Sequence, residues 1–146
     1  MNAFSTSLLA GSVGAVTTNL LHEAVRRLTP DAPRVDLLGM QALSRLLHVA
    51  GLPTPDHGTL YAMTLLGDLA SNSAYFGLVG TVSQDKVVAA GVVLGLAAGV
   101  GAVYLPPYLG LSDRLTERTA TTGALTTALY TSGGLAAGLT YRALFT

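Results

Sequence analysis

Asp68 is the residue whose placement asks most for a chemical explanation. It sits inside a stretch from about Thr59 to Val82 that is otherwise apolar enough for a lipid environment. A carboxyl group there is costly whether charged and desolvated or neutral and hydrogen-bonded. Such a group can hold a proton, an ion or the polar end of a solute. At roughly 100° per residue, Tyr61, Thr64, Asp68, Ser71, Asn72 and Tyr75 fall on one helical face. That stripe is expected to face protein or water and not lipid.

A second group lies near the N-terminus. Ser5, Ser12, Asn19, His22, Glu23 and Arg26 share one helical arc. Glu23 and Arg27 stand at the spacing of a helical ion pair, which makes His22 and Glu23 either an anchor or a proton- or ion-handling vestibule. The pair His22-Glu23 opens like a zinc-protease motif, but Arg26 occupies the place of the second histidine, so no metal site is expected. A third face, carrying Gly123, Thr127, Tyr130, Thr131, Gly134, Gly138 and Tyr141, offers hydroxyls and close backbone approach without charge. Asp68 is expected about 14 Å from one end of its helix, with Tyr130 and Asn19 at a similar level and Lys86 about 27 Å away. Tyr130, Asn19 and His22 are therefore its expected donors. The transport stripe reads as Asp68, Asn72, Ser71, Thr64, Tyr75, Asn19, His22, Glu23, Tyr130 and Thr127.

The elements that must carry these groups read as helices. Four stretches reach the about 20 residues a bilayer requires, at about 4–25, 59–82, 87–110 and 119–144. The third holds Gly91, Gly95 and Gly99 at four-residue intervals, a small-residue packing face like that of Gly134 and Gly138. The stretch at about 34–51 places Arg34, Gln41, Ser44, Arg45 and His48 on one side and mostly Leu, Val and Met on the other. Asp36 and Leu37 break that sorting. Prolines at 30, 33, 53 and 55 bracket it, and it is expected to lie in the cytoplasmic interface as an amphipathic helix. With that arrangement, Arg26, Arg27, Arg34, Arg45, Arg114 and Arg118 are inside and Lys86 and Arg142 outside, so both termini are expected to be extracytoplasmic.

Composition supports the same expectation. Of 146 residues, 50% are hydrophobic and 11% charged; soluble domains carry about a quarter charged residues. Zero net charge gives no electrostatic footprint for nucleic acid. The absence of cysteine excludes disulfides and thiolate chemistry. There is no nucleophile elbow or P-loop, and Gly11-Ser12-Val13-Gly14 follows no strand, so neither a catalytic set nor a cofactor is expected.

The expectation is thus one all-α integral membrane domain over residues 1–146, a four-helix transmembrane bundle in the cell (inner) membrane. Its expected partners are the lipid bilayer, further copies of itself and a larger membrane complex. Its expected function is an oligomeric channel or carrier for a proton, small ion or small polar solute. The alternative is a structural or accessory membrane subunit, or a lipid- or pigment-binding module.

Overall fold

The computed structural model describes residues 2–145, and every regular element among them is helical. Helix α1 (Ala3–Leu28) starts where the Asn2 side chain accepts from the Ser5 N–H at 2.8 Å. It ends at Thr29, which is extended because Pro30 disfavours helical backbone before it. Helix α2 (Val35–Val49) follows Pro33 and closes at Gly51, whose φ of 71° is the left-handed geometry a glycine adopts without cost. Helix α3 (His57–Gly77) is capped by Asp56, which accepts from the Thr59 N–H at 3.1 Å, and tightens into a 3-10 turn at Leu78–Thr81. Helix α4 (Val87–Tyr104) is halted by Pro106-Pro107. A single turn, α5 (Arg114–Glu117), leads to α6 (Ala120–Leu144), capped by Thr119.

The long helices pack in the order α3, α1, α6, α4, with α2 laid against α3 and only sparse contact between α3 and α4. Missing side chains set the closest spacing. A Cβ on Gly91 would lie 2.2 Å from the Gly134 carbonyl oxygen, and one on Gly134 would lie 2.1 Å from that of Gly91. Gly95, Gly99 and Gly138 stand in the same seam, against Thr131, Thr127 and Val87–Val88 backbone. Backbone-to-backbone contact of this kind replaces interdigitated side chains between α4 and α6. The apolar core, Ala10, Phe76, Val79, Val87, Ala137 and Tyr141, gathers at the end of the molecule where α3 turns into α4. Fully burying a side chain such as Phe76 contributes roughly 1.5–3 kcal/mol. The opposite end is held by polar links and leaves room for cavities.

The four-span expectation is overturned. Among the described residues only one helical stretch, Gln84–Tyr104, is long and apolar enough to cross a membrane, and 28% of its most apolar part is buried inside the fold. The stretches 4–25, 59–82 and 119–144 do form helices, but polar residues dilute them. Ser5, Thr6, Ser7, Ser12, Thr17, Thr18 and Asn19 do so in α1. Asp68, Ser71, Asn72 and Ser73 do so in α3, and Thr121, Thr122, Thr126, Thr127, Thr131 and Ser132 in α6. Length alone does not make a crossing; mean apolarity over the whole span decides it. The integral membrane bundle, the multi-pass inner-membrane location with external termini and a channel or carrier built on four crossings are corrected accordingly. What stands is an all-helical chain with one candidate span.

The stretch 34–51 is corrected with them. Two of its polar side chains, Gln41 and Arg45, tie α2 to the loop after α4. Arg45 Nη1 donates to the Gly110 carbonyl at 3.0 Å, and Gln41 Oε1 accepts from the Ser112 N–H at 2.9 Å. The charge-bearing side of α2 is thereby part of the tertiary structure.

Candidate ligand-binding site

The polar groups of α1 and α3 converge on Asp68. Helix α3 starts at the Asp56 cap and buries Leu60 and Phe76, and Asp68 faces α1. Asp68 Oδ2 accepts from Asn19 Nδ2 at 2.7 Å, and Oδ1 accepts from Asn72 Nδ2 at 2.9 Å. The first bond joins two helices; the second spans one turn of α3. Asn19 Nδ2 also reaches the Ala15 carbonyl at 3.1 Å, which holds its amide in place. Among the described residues Asp68 forms no ion pair.

One turn beyond Asn19, His22 is 7% exposed. Its Nδ1 lies 2.9 Å from the Thr18 carbonyl. A carbonyl only accepts, so Nδ1 carries the proton and Nε2 presents a lone pair. That Nε2 is buried without a hydrogen-bond partner, as is the hydroxyl of Thr64. The imidazole packs edge-on against Tyr130, ring centres 5.4 Å apart at 72°. Burial lowers the His22 pKa from its ordinary value, against the opposing pull of the Thr18 carbonyl and of Asp68 and Asp36. The neutral ring is the form that suits this position.

The carboxylates toward the rim are compensated. Glu23 accepts from Arg27 Nε at 2.8 Å and pairs with Arg26, and these bonds hold its carboxyl below the usual range. Asp36 meets Arg34 through two parallel hydrogen bonds of 2.9 and 2.7 Å, with Arg26 at 3.9 Å. Burial opposes the charge on Asp36, and the Arg34 guanidinium overcomes that, so its carboxyl too lies below the usual range. Asp68 is therefore the uncompensated carboxyl of the group.

These residues enclose a cavity of about 350 Å³ between α1, α2 and α3. Asn19, His22, Asp68 and Thr64 form its polar inner wall, Leu20, Val35 and Leu65 its apolar sides, and Glu23, Asp36, Arg26 and Arg27 its charged rim. The size lies at the small end of ordinary small-molecule sites, and the mixture of apolar sides with a few convergent polar groups is what such sites use. Among the described residues no three His, Cys, Asp or Glu side chains come together as a metal site requires.

Other residues of the expected stripe lie elsewhere. Ser71, Asn72, Tyr75 and Tyr130 line an open cleft of about 500 Å³ between α3 and α4. Asn72 belongs to that cleft and yet bonds Asp68, so the Asp68–Asn72 pair divides the two spaces. The Tyr75 hydroxyl donates to the Leu94 carbonyl at 2.9 Å and ties α3 to α4. Thr127 is turned toward α4, its Cα 2.6 Å from where a Gly99 Cβ would stand, and takes no part in the Asp68 group. Ser71 donates only to the backbone of Asp68, at 3.2 Å.

The expected transport stripe leaves out Asp36 and the rest of the wall formed by α2, and it leaves out Tyr61, although Tyr61 stands on the expected Asp68 face. Asp36 had a visible signal, since it broke the polar–apolar sorting of its helix. Tyr61 lies on the Asp68 face by spacing alone. The position of α2 over this face has no local sequence signal, because it depends on contacts with α3 and the Gly110–Ser112 loop.

No protein-family model, curated protein or solved structure matches this chain. Function has to be argued from the pocket itself.

Proposed function

We propose that this chain is a binding module for a small polar solute, received in the cavity between α1, α2 and α3 with Asp68 at its inner wall. The observation that carries this reading is the pairing of a preformed cavity with unspent hydrogen-bonding capacity. Among the described residues the Asp68 carboxyl, on the wall of the cavity, has no cationic partner. A solute that brings a hydrogen-bond donor or a positive charge to that carboxyl is favoured there. The test is a nuclear magnetic resonance titration of the full chain with small amines, alcohols, amides and acids. Saturable shifts at Gly39 and Thr64 are expected, and the absence of any saturable response to all four classes defeats the reading.

The exposed apolar surface favours a second reading, an accessory subunit covered by lipid or by other copies of the chain. Leu28 is 82% and Leu66 68% exposed, on helices whose other faces are packed. Under this reading Asp68 and Asn19 serve only to fasten α1 to α3. Asp68→Asn then lowers the melting temperature while every solute titration stays flat.

A further inference from the structure

The geometry points to a protonated amine with a compact apolar body as the ligand of the Asp68 cavity, its ammonium group against the free acceptor positions of Asp68. This inference deepens the binding reading above and rests on it.

The inner wall is a set of acceptors. Each Asp68 oxygen already holds one amide N–H, from Asn19 or Asn72, and an ionised carboxylate has about four acceptor positions, so two remain. His22 Nε2 and the Thr64 hydroxyl are sealed from the cavity, so the acceptors within a ligand's reach are those of Asp68. An ammonium group is the head that matches such a wall, having three donors and no acceptor.

The charge pattern selects the same class. The guanidinium groups near the cavity are spent on Glu23 and Asp36 at the rim, which leaves the Asp68 carboxyl at the inner end without a counter-ion among the described residues. An anion entering there would meet a like charge in a poorly solvated space. A neutral alcohol would satisfy fewer acceptors and leave the charge unpaired. A metal ion finds too few ligands, as no group of three metal-binding side chains converges among the described residues. The sides set the remainder of the ligand. Leu20, Val35, Leu65 and Pro33 present apolar surface to a body of limited size, as the cavity measures about 350 Å³.

Three probes of one shape separate the classes: benzylamine, benzyl alcohol and benzoate, titrated at neutral pH into the full chain with Gly39 and Thr64 amide signals and heat of binding as readouts. Benzylamine is expected to bind about tenfold or more tightly than benzyl alcohol, with benzoate weaker still. In Asp68→Asn the benzylamine affinity is expected to fall to that of the alcohol, while Glu117→Gln, remote from the cavity, leaves it unchanged. Alcohol or benzoate binding as well as the amine overturns the amine assignment and leaves the binding reading intact. No saturable binding of any probe overturns both. If Asp68→Asn fails to fold, the three probes on the unaltered chain still decide the ligand class.

Discussion

At the residue scale the molecule turns on how a few polar atoms are satisfied. Asn19 is the donor that joins α1 to Asp68, so Asn19→Ala removes an interhelical bond and leaves a partly buried carboxylate oxygen short of one partner. The expected loss is roughly 1–3 kcal/mol of unfolding free energy, read by denaturant titration. A double-mutant cycle with Asp68→Asn should show the two losses to be coupled; simple additivity would mean the bond contributes nothing. His22 sets the pH dependence. It faces Asp68 from α3, Asp36 from α2 and the Tyr130 ring from α6, with Glu23 and Arg26 following on its own helix. Its folded pKa is below the unfolded value of 6.5, so the unfolded chain binds the proton more readily. Stability from the neutral ring is complete above that value and declines as pH falls below it. Glu23 and Asp36 behave differently: their lowered pKa values give stability that is present above the ordinary carboxyl range and lost only at more acid pH. Between about pH 5 and 6.5 the decline in melting temperature should therefore belong to His22 and flatten in His22→Gln. An unchanged slope in that variant would refute the assignment.

At the element scale the decisive contact is between α4 and α6. Gly91→Ala puts a methyl group where the Gly134 carbonyl stands 2.2 Å away, so the helices must separate. Overpacking of this kind typically costs about 1–3 kcal/mol. Gly67 provides the contrast. It lies in the interior of α3 with nothing within 4 Å of an added Cβ, and Gly67→Ala should raise stability by roughly 0.5–1 kcal/mol through backbone entropy. Opposite signs from the same chemical change, measured by thermal unfolding, would verify the close seam; equal effects would argue against it. Helix α2 works differently, because side-chain links to Gly110 and Ser112 hold it over the cavity.

At the scale of the whole molecule the notable property is uncovered apolar surface. Phe4, Leu28, Leu66, Val93 and Tyr108 are each more than 60% exposed, spread over α1, α3, α4 and the turn after α4. Apolar area of this extent on a 14.9 kDa chain favours association. Light scattering in plain buffer is expected to give particles heavier than one chain, and mild detergent to reduce them. A monodisperse single chain without amphiphile would contradict this. One candidate crossing helix does not by itself cover surface distributed so widely.

Much of the local structure was legible before any coordinates. Pro30, Pro33, Pro53 and Pro55 mark the limits of the helix between them, because prolines act through neighbouring backbone atoms; the caps at Asn2, Asp56 and Thr119 came to light only in the structure. The shared face of Asp68 and Asn72 follows from helical geometry in the same way. Length and a few long apolar runs do not show which helices can cross a membrane, since hydroxyls dispersed along α1 and α6 and the polar residues of α3 dilute them. By itself the sequence determined the helices, the proline breaks between them and the odd acid at position 68, all of which depend on interactions within a few residues. Only the tertiary structure decided that, of the three expected donors, Asn19 is the one that bonds Asp68, that Thr127 turns away toward α4, and that α2 closes a cavity over His22. Those outcomes depend on how distant helices rotate against one another, and that rotation is set by glycine contacts and polar links between residues far apart in the chain.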